Sequence, residues 1–559
     1  MCKSYFLLPA IFLCVLTLSA QKSSSTWIST GTVRAQLTAE GPLVSTFEAL
    51  IEGQNQELIG EISLWMGAVD PAYNLELSIQ NANPALSDFQ GGFRDVPLSA
   101  GVWKVTKAEI EQHLNDFLDN GVIDNPIPAI FAWPGKGNPY SEQYNGFAVD
   151  TFPGILAAPF SDFGSNWDFE YDPGKGDFPT FGTPILNIQR PPDEIVYVPF
   201  HTKRFSALFP GVGLYTVPLN CSAVFFTYYC DDADFLDHSV SGYVNLGRLP
   251  GEYSDSLFAS FNINGNIGDP SDDYLGYIPE SKVTYFYNAD TAAMPNGLFP
   301  PVVAFDLHQG VFDEFGDLKG VNSVITLNPE NANVEPALRY PQLPLEYYRY
   351  STGHWRDGHP MTIGNQGYWG TVPTNYIFHG APGEPGAWSE LQAQNPPGDR
   401  RALVSTGPGR LLGGGYNRVF FSLSYVPGDQ SLSGQWQTLR EYSTHKSNFF
   451  YVDYFPPTVD PYDTLPCFRP TTSVFDPEKT AVKIFPNPVY DLLQIDAGTS
   501  EIQSVQIVDL LGRLVSEQQF PVPGSSVVQL ETGALQPGIY VLKGKLRDNG
   551  LFVQKLVKR

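Results

Sequence analysis

Almost no apolar run in this chain goes far before a glycine or a proline cuts it. The sequence holds 52 Gly and 48 Pro. Proline removes a backbone donor and fixes φ, and glycine raises the entropy cost of ordering, so both shorten helices and strands. Between the breaks stand 29 Tyr and 38 Phe, residues that fit a pleated, half-buried surface. The pattern predicts a mainly β chain of many short strands and turns. Its length of 559 residues suits about three domains.

The N-terminus reads as an export signal. Lys3 supplies a basic start, residues 5–18 are apolar, and Ser19-Ala20-Gln21 offers a small residue for cleavage. The apolar run is short for a bilayer, so removal is expected rather than anchoring. No other run is long enough for a transmembrane helix. Cys2 and Cys14 leave with the signal, and Cys221, Cys230 and Cys467 stay. Cys221 and Cys230 bracket SAVFFTYY, an apolar run suited to a strand covered on both faces. Such a strand holds its ends about 30 Å apart, so the two should not bond each other. Buried free thiols are the expected state.

The formal net charge is −26, and from Lys479 onward nine Lys/Arg meet seven Asp/Glu. With Lys3 in the signal, about −29 rests on the body. A body this acidic excludes nucleic acid, whose phosphates need basic partners. It is compatible with calcium.

Residues 27–100 alternate as strands and turns. Thr106 and Glu109 then form a capping box, with Ile110, Leu114, Phe117 and Leu118 on one face and Gly121 as a stop. One short helix is expected at about 106–120, packed on the β body. Residues 191–300 again read as strands. The expected order is a signal at 1–20, a β-rich region at 21–190, and a second at 191–455 that either stands alone or continues the first. A linker at 456–480, dense in proline (Pro456, Pro457, Pro461, Pro466, Pro470, Pro477), precedes a module at 481–559.

Three acidic groups are candidates for calcium, the first by the alternate spacing of its oxygen ligands and the other two as clusters at strand ends that could converge on a metal. They are Asn166, Asp168 and Asp172, then Asp231, Asp232, Asp234 and Asp237, then Asp269, Asp272 and Asp273. Each also reads as a solvated turn. His354, Asp357 and His359 lie in HWRDGHP, where Asp357-Gly358 signals a structural turn. GPGRLLGGGYNR lacks the lysine of a phosphate loop, and neither Gly-x-Ser-x-Gly nor His-Glu-x-x-His occurs. No catalytic residue is assigned.

The last 80 residues alternate as about seven strands, the pattern of an immunoglobulin-like sandwich. Phe485-Pro486-Asn487-Pro488, Asp509, Gly512-Arg513, Pro537-Gly538 with Tyr540, and the basic end with Lys555 and Lys558 resemble the type A C-terminal sorting domain of the type IX secretion system. The resemblance implies a Bacteroidota source and passage through the periplasm and across the outer membrane. It also implies the secretion machinery and its sorting peptidase as partners. Removal of the module, then release or attachment to surface lipopolysaccharide, would follow.

The body resembles large surface proteins of no established activity that carry the same module. The resemblance rests on SLWMGAVD, GVWKVTKAEI, FAWPGKGNP, YDPGKGDFP, SDDYLGY and HWRDGHPMTIGNQGY. Their calcium-like loop has an Asp and a glycine where Gly164 and Phe169 stand here. The function expected is a secreted or cell-surface role without catalysis: adhesion, coat, or glycan binding through exposed aromatics. The alternative is a polysaccharide hydrolase with a carboxylate pair.

Overall fold

The computed structural model describes residues 23–558 apart from 71, 97–98, 150–156, 162–169, 182–190, 231–233, 250–253, 289–298, 314, 330–333, 429–431, 455–481, 499, 509–513, 521–525, 537 and 548–550. The expected signal and linker lie outside these residues. Among the described residues no helix is long and apolar enough to cross a membrane.

The body is built on two antiparallel sheets. The first runs Ser25–Ser29, Val33–Thr38, Val44–Ile51, Gln54–Val69, Ser254–Gly265, Arg401–Leu411 and Val321–Thr326, with Leu75–Ile79 also on Gln54–Val69. The second runs Asp273–Ile278, Val283–Asn288, Val302–Gln309, Tyr416–Val426, Ser239–Arg248, Leu219–Thr227, Glu194–Thr202 and Phe89–Gly91, with Trp103–Thr106 also on Glu194–Thr202. Gln54–Val69 pairs with Ser254–Gly265, and Trp103–Thr106 pairs with Glu194–Thr202. Strands from both halves of the body therefore share both sheets.

Side-chain alternation explains the layers. In Leu219–Thr227, Cys221, Ala223 and Phe225 enter the core between the sheets, while Val224 and Phe226 enter a second core on the outer face. Covered on both sides, this strand carries the near-continuous apolar run its sequence shows. In the inter-sheet core, Phe261 of the first sheet meets Phe305 and Phe421 of the second at 5.0 and 5.1 Å between ring centroids. Phe305 and Phe421 stack at 5.3 Å.

Helices and loops cover the outer face of the second sheet. The helix Lys107–Asn120 starts at the Thr106–Glu109 capping box and ends at Gly121 with φ 79°. Its buried face is rotated from the expected one. Ile110 and Leu114 are buried, but His113 joins them and Leu118 is exposed. His113 fits because its Nε2 meets the Asp177 carbonyl at 3.0 Å. Burial holds its imidazole down to about 4.

A long helix, Leu432–Tyr454, also lies in this layer, where the sequence reading placed no helix. Trp436 packs on Tyr285 and Tyr287 at 4.8 and 5.3 Å, and Leu439 and Tyr442 follow at helical spacing. Cys221 is a buried free thiol, as expected, but Cys230 is disulfide-bonded. The strand stops at Thr227, so Cys230 is free of the sheet ladder.

Among the described residues, the C-terminal module has its own core and seven strands in two sheets. Lys483–Phe485, Leu492–Asp496 and Val527–Glu531 form one. Leu514–Gln519, Ile502–Val508, Gly538–Leu546 and Leu551–Lys558 form the other.

Truncating Phe421 to alanine removes a ring from the centre of the inter-sheet core. We expect a loss of about 3–5 kcal/mol with an unchanged denaturant slope, read by urea unfolding of the body.

Candidate functional site

One segment, residues 352–400, joins the edges of both sheets and carries little regular structure of its own. Val324, on the edge strand Val321–Thr326, donates to Asn375 O at 2.9 Å and accepts from Ile377 at 2.9 Å. Tyr277, on the edge strand Asp273–Ile278, donates to Phe378 O at 3.1 Å and accepts from Gly380 at 2.7 Å. Six consecutive residues, 375–380, thus pass from one sheet to the other.

The segment before this tie is shaped by Trp355. Its indole is fully buried and donates to Gly367 O at 2.8 Å. HWRDGHP closes as a turn, with Gly358 N–H donating to Trp355 O at 2.8 Å. His359 Nδ1 meets Asp357 Oδ2 at 3.0 Å, and the Tyr368 hydroxyl donates to the same oxygen at 2.5 Å. The trio of His354, Asp357 and His359 is therefore part of a scaffold. His354 Nδ1 instead faces the Thr352 hydroxyl at 3.1 Å.

That scaffold presents Trp369. Its ring stands edge-on to Tyr368 at 4.6 Å and is 64% exposed. Gln366 turns beside it at φ 60°. Trp369 lines an open groove of about 940 Å³ whose other wall is Trp388, Gln392, Gln394 and Asn395, with His379 also lining it. Trp388 is 7% exposed and packs on Phe378 at 5.3 Å. Among the described residues, Gln366 and Gln394 make no side-chain hydrogen bond. Among the described residues, the lining includes no Asp, Glu, Lys or Arg.

Glu390 fixes the second wall from behind. It is 1% exposed, takes both Nε and Nη2 of Arg400 at 2.9 and 2.8 Å, and accepts the Leu275 N–H at 2.7 Å. Leu275 belongs to the edge strand Asp273–Ile278, so the amide-rich wall hangs on the second sheet. Sequence reasoning did not single out this groove. Its one signal was the density of amides and tryptophans in NQGYW and QAQN.

The acidic candidates occupy other places. Asp172 accepts from Gly174 N at 3.0 Å and pairs with Lys175 at 2.9 Å. Asp234 opens the short helix Asp234–Asp237, and the buried Asp237 carboxylate accepts the Cys230 amide. Asp269 Oδ1 accepts from Ser271 N and Oγ at 2.9 and 2.7 Å. Asp272 accepts from Asn288 Nδ2 at 2.6 Å, and Asp273 from Ile267 N at 3.1 Å. Asn166, Asp168, Asp231 and Asp232 lie outside the described residues. Among the described residues no three His, Cys, Asp or Glu side chains gather as a metal site.

In the C-terminal module, Asn487 Oδ1 accepts from Val557 N at 2.8 Å, and Val489 N donates to Val557 O at 2.8 Å. The Phe485-Pro486-Asn487-Pro488 loop is thereby pinned to the last strand, Leu551–Lys558. Phe485 is 44% exposed and Lys558 is buried. The Tyr540 hydroxyl donates to Gln536 O at 2.9 Å. Gly538 and Lys555 lie on strands of the same sheet. Asp509, Gly512, Arg513 and Pro537 lie outside the described residues.

Burial pushes Asp273 up to about 8, with one oxygen held by the Ile267 amide. Because the folded value lies above that of an unfolded aspartate, the folded state holds an extra proton between about pH 4 and pH 8. Stability should fall as pH rises through that window. Asp273→Asn should flatten the fall in thermal unfolding curves taken from pH 5 to 8.

A search of the curated proteins finds no match to the chain. Among solved structures, a polysaccharide lyase from Bacteroides aligns at 6% identity and a TM-score of 0.22, over 97% of this chain. The chain spans only 47% of that lyase, and a likeness of this grade carries no argument about fold or activity. Residues 483–559 match the secretion system C-terminal sorting domain. The two-sheet module with its pinned Asn487 loop is thus the sorting domain of a type IX cargo, and the chain is exported, to be secreted or attached to the cell surface.

Proposed function

We propose that the exported body binds a neutral glycan, without cleaving it, in the groove between Trp369 and the wall from Trp388 to Asn395. The carrying observation is an exposed indole with two unpaired amides, Gln366 and Gln394, in a groove whose described lining holds no Asp, Glu, Lys or Arg. A pyranose ring offers C–H faces to an indole and hydroxyls that both donate and accept. Glutamine and asparagine amides answer both kinds of hydroxyl bond, and tryptophan supplies area at little entropy cost. The acidic body disfavours anionic polymers by repulsion. Binding of this kind serves adhesion or a surface coat.

A hydrolase would need two carboxylates about 5–5.5 Å or about 6.5–9.5 Å apart across the scissile bond. The carboxylate next to the wall, Glu390, is buried on Arg400 and the Leu275 amide, which favours binding over cleavage.

Trp369→Ala should weaken binding of neutral polysaccharide at least about tenfold, or ~1.4 kcal/mol, in affinity electrophoresis and calorimetry. Unchanged retention in that variant would remove the groove from the reading. Release of new reducing ends by the wild-type protein would turn it toward hydrolysis.

A further inference from the structure

The helix Leu432–Tyr454 lays a lysine onto the outer face of the second sheet. Lys446 Nζ donates to Asp306 Oδ2 and to Ser424 Oγ, and Ser424 Oγ donates to the same Asp306 oxygen at 2.9 Å. The Lys446 side chain is 0% exposed and that of Asp306 1%. Asp306 Oδ1 has no partner among the described residues. Asp306 pairs across the ladder with Ser422, two residues before Ser424 on the same face. His308, two residues along the strand from Asp306, meets Ser422 Oγ at 2.9 Å.

We propose that Lys446 and Asp306 join in an intramolecular amide bond that fastens this helix covalently to the sheet. The pair is held in contact, in a fixed orientation, and away from water. Such placement is what turns a slow bimolecular condensation into an intramolecular one. The charged form is costly where it stands, since two buried ions lose their hydration and one carboxylate oxygen has nothing to pair with. Burial pushes the lysine amine below its ordinary value. Burial also holds His308 down to about 3, so the imidazole adds no competing positive charge.

The step balances without an oxidant or a co-reactant. A proton passes from the ammonium to the carboxylate, directly or through the Ser424 hydroxyl. The neutral Nζ attacks Asp306 Cγ and a C–N bond forms. The C–Oδ2 bond breaks, and that oxygen leaves as water with one amine proton. The product is an uncharged amide whose N–H remains beside Ser424.

The consequence is mechanical. Leu432–Tyr454 is the last described element of the body before the sorting domain. Packing alone holds a helix by contacts that slide. An amide would pass the load to Val302–Gln309, a strand inside the second sheet.

Peptide mapping of the purified, reduced full chain tests this directly. The expected result is one branched peptide joining the sequences around Asp306 and Lys446, lighter than its two parts by one water. Boiled samples should also run faster than Lys446→Met in denaturing gels. Asp306→Asn should still close, losing ammonia instead of water. If Lys446→Met fails to fold, the wild-type map decides alone. Separate, unmodified Asp306 and Lys446 peptides from folded wild-type protein would overturn the proposal.

Discussion

The body depends on how its two sheet edges are closed. An open edge strand presents unpaired N–H and C=O groups and invites pairing with other chains. Here one excursion closes both. Residues 375–377 bond Val324, and residues 378–380 bond Tyr277. Farther along the second edge, Leu275 N–H is taken by Glu390 Oε1, and Asp273 O accepts Gly398 N–H at 3.0 Å. Asp273 O, Leu275 N–H and both backbone groups of Tyr277 thus find partners within residues 378–398. The groove is a by-product of this closure. Its second wall is the stretch that caps the edge, and its position is set by the sheet instead of by its own irregular backbone.

Some of this was legible in the chain. The helix Lys107–Asn120 could be read because Thr106 and Glu109 declare its start and Gly121 its end, signals that act through neighbours in sequence. Its buried face was less readable. His113 enters the core only because a distant carbonyl, that of Asp177, waits for it. The described strands of the sorting domain were readable because apolar and polar residues alternate along them. The helix Leu432–Tyr454 carries Trp436, Leu439, Tyr442 and Lys446 at helical spacing. Half of those positions are polar or amphipathic, so its apolar stripe was easy to miss beside a proline-rich stretch.

The groove was hidden for a different reason. Its chemistry is carried by neutral amides and tryptophans, which form no spaced motif and have no charge to draw notice. The acidic clusters drew notice, and three of their described members hold nearby backbone amides. Asp269 ties Ser271, Asp237 ties the Cys230 amide, and Asp172 ties Gly174. Short acidic side chains satisfy turn amides in any loop-rich β protein. Their density therefore follows from the number of turns, which the glycine and proline content already set.

Covering the second sheet on both faces has a price in polar groups. A long strand buried on both sides cannot send its polar residues to water, so each must find a partner inside. Ser241 pairs with Ser422 at 2.8 Å, His308 with the same hydroxyl, and Asp306 with Lys446 and Ser424. These residues face the helix layer from three adjacent strands, so the layer cannot be replaced by a plain apolar cap without stranding them. A helix so placed is specified by polar fit as much as by Trp436 and Leu439. It is also the last described element of the body before the sorting domain.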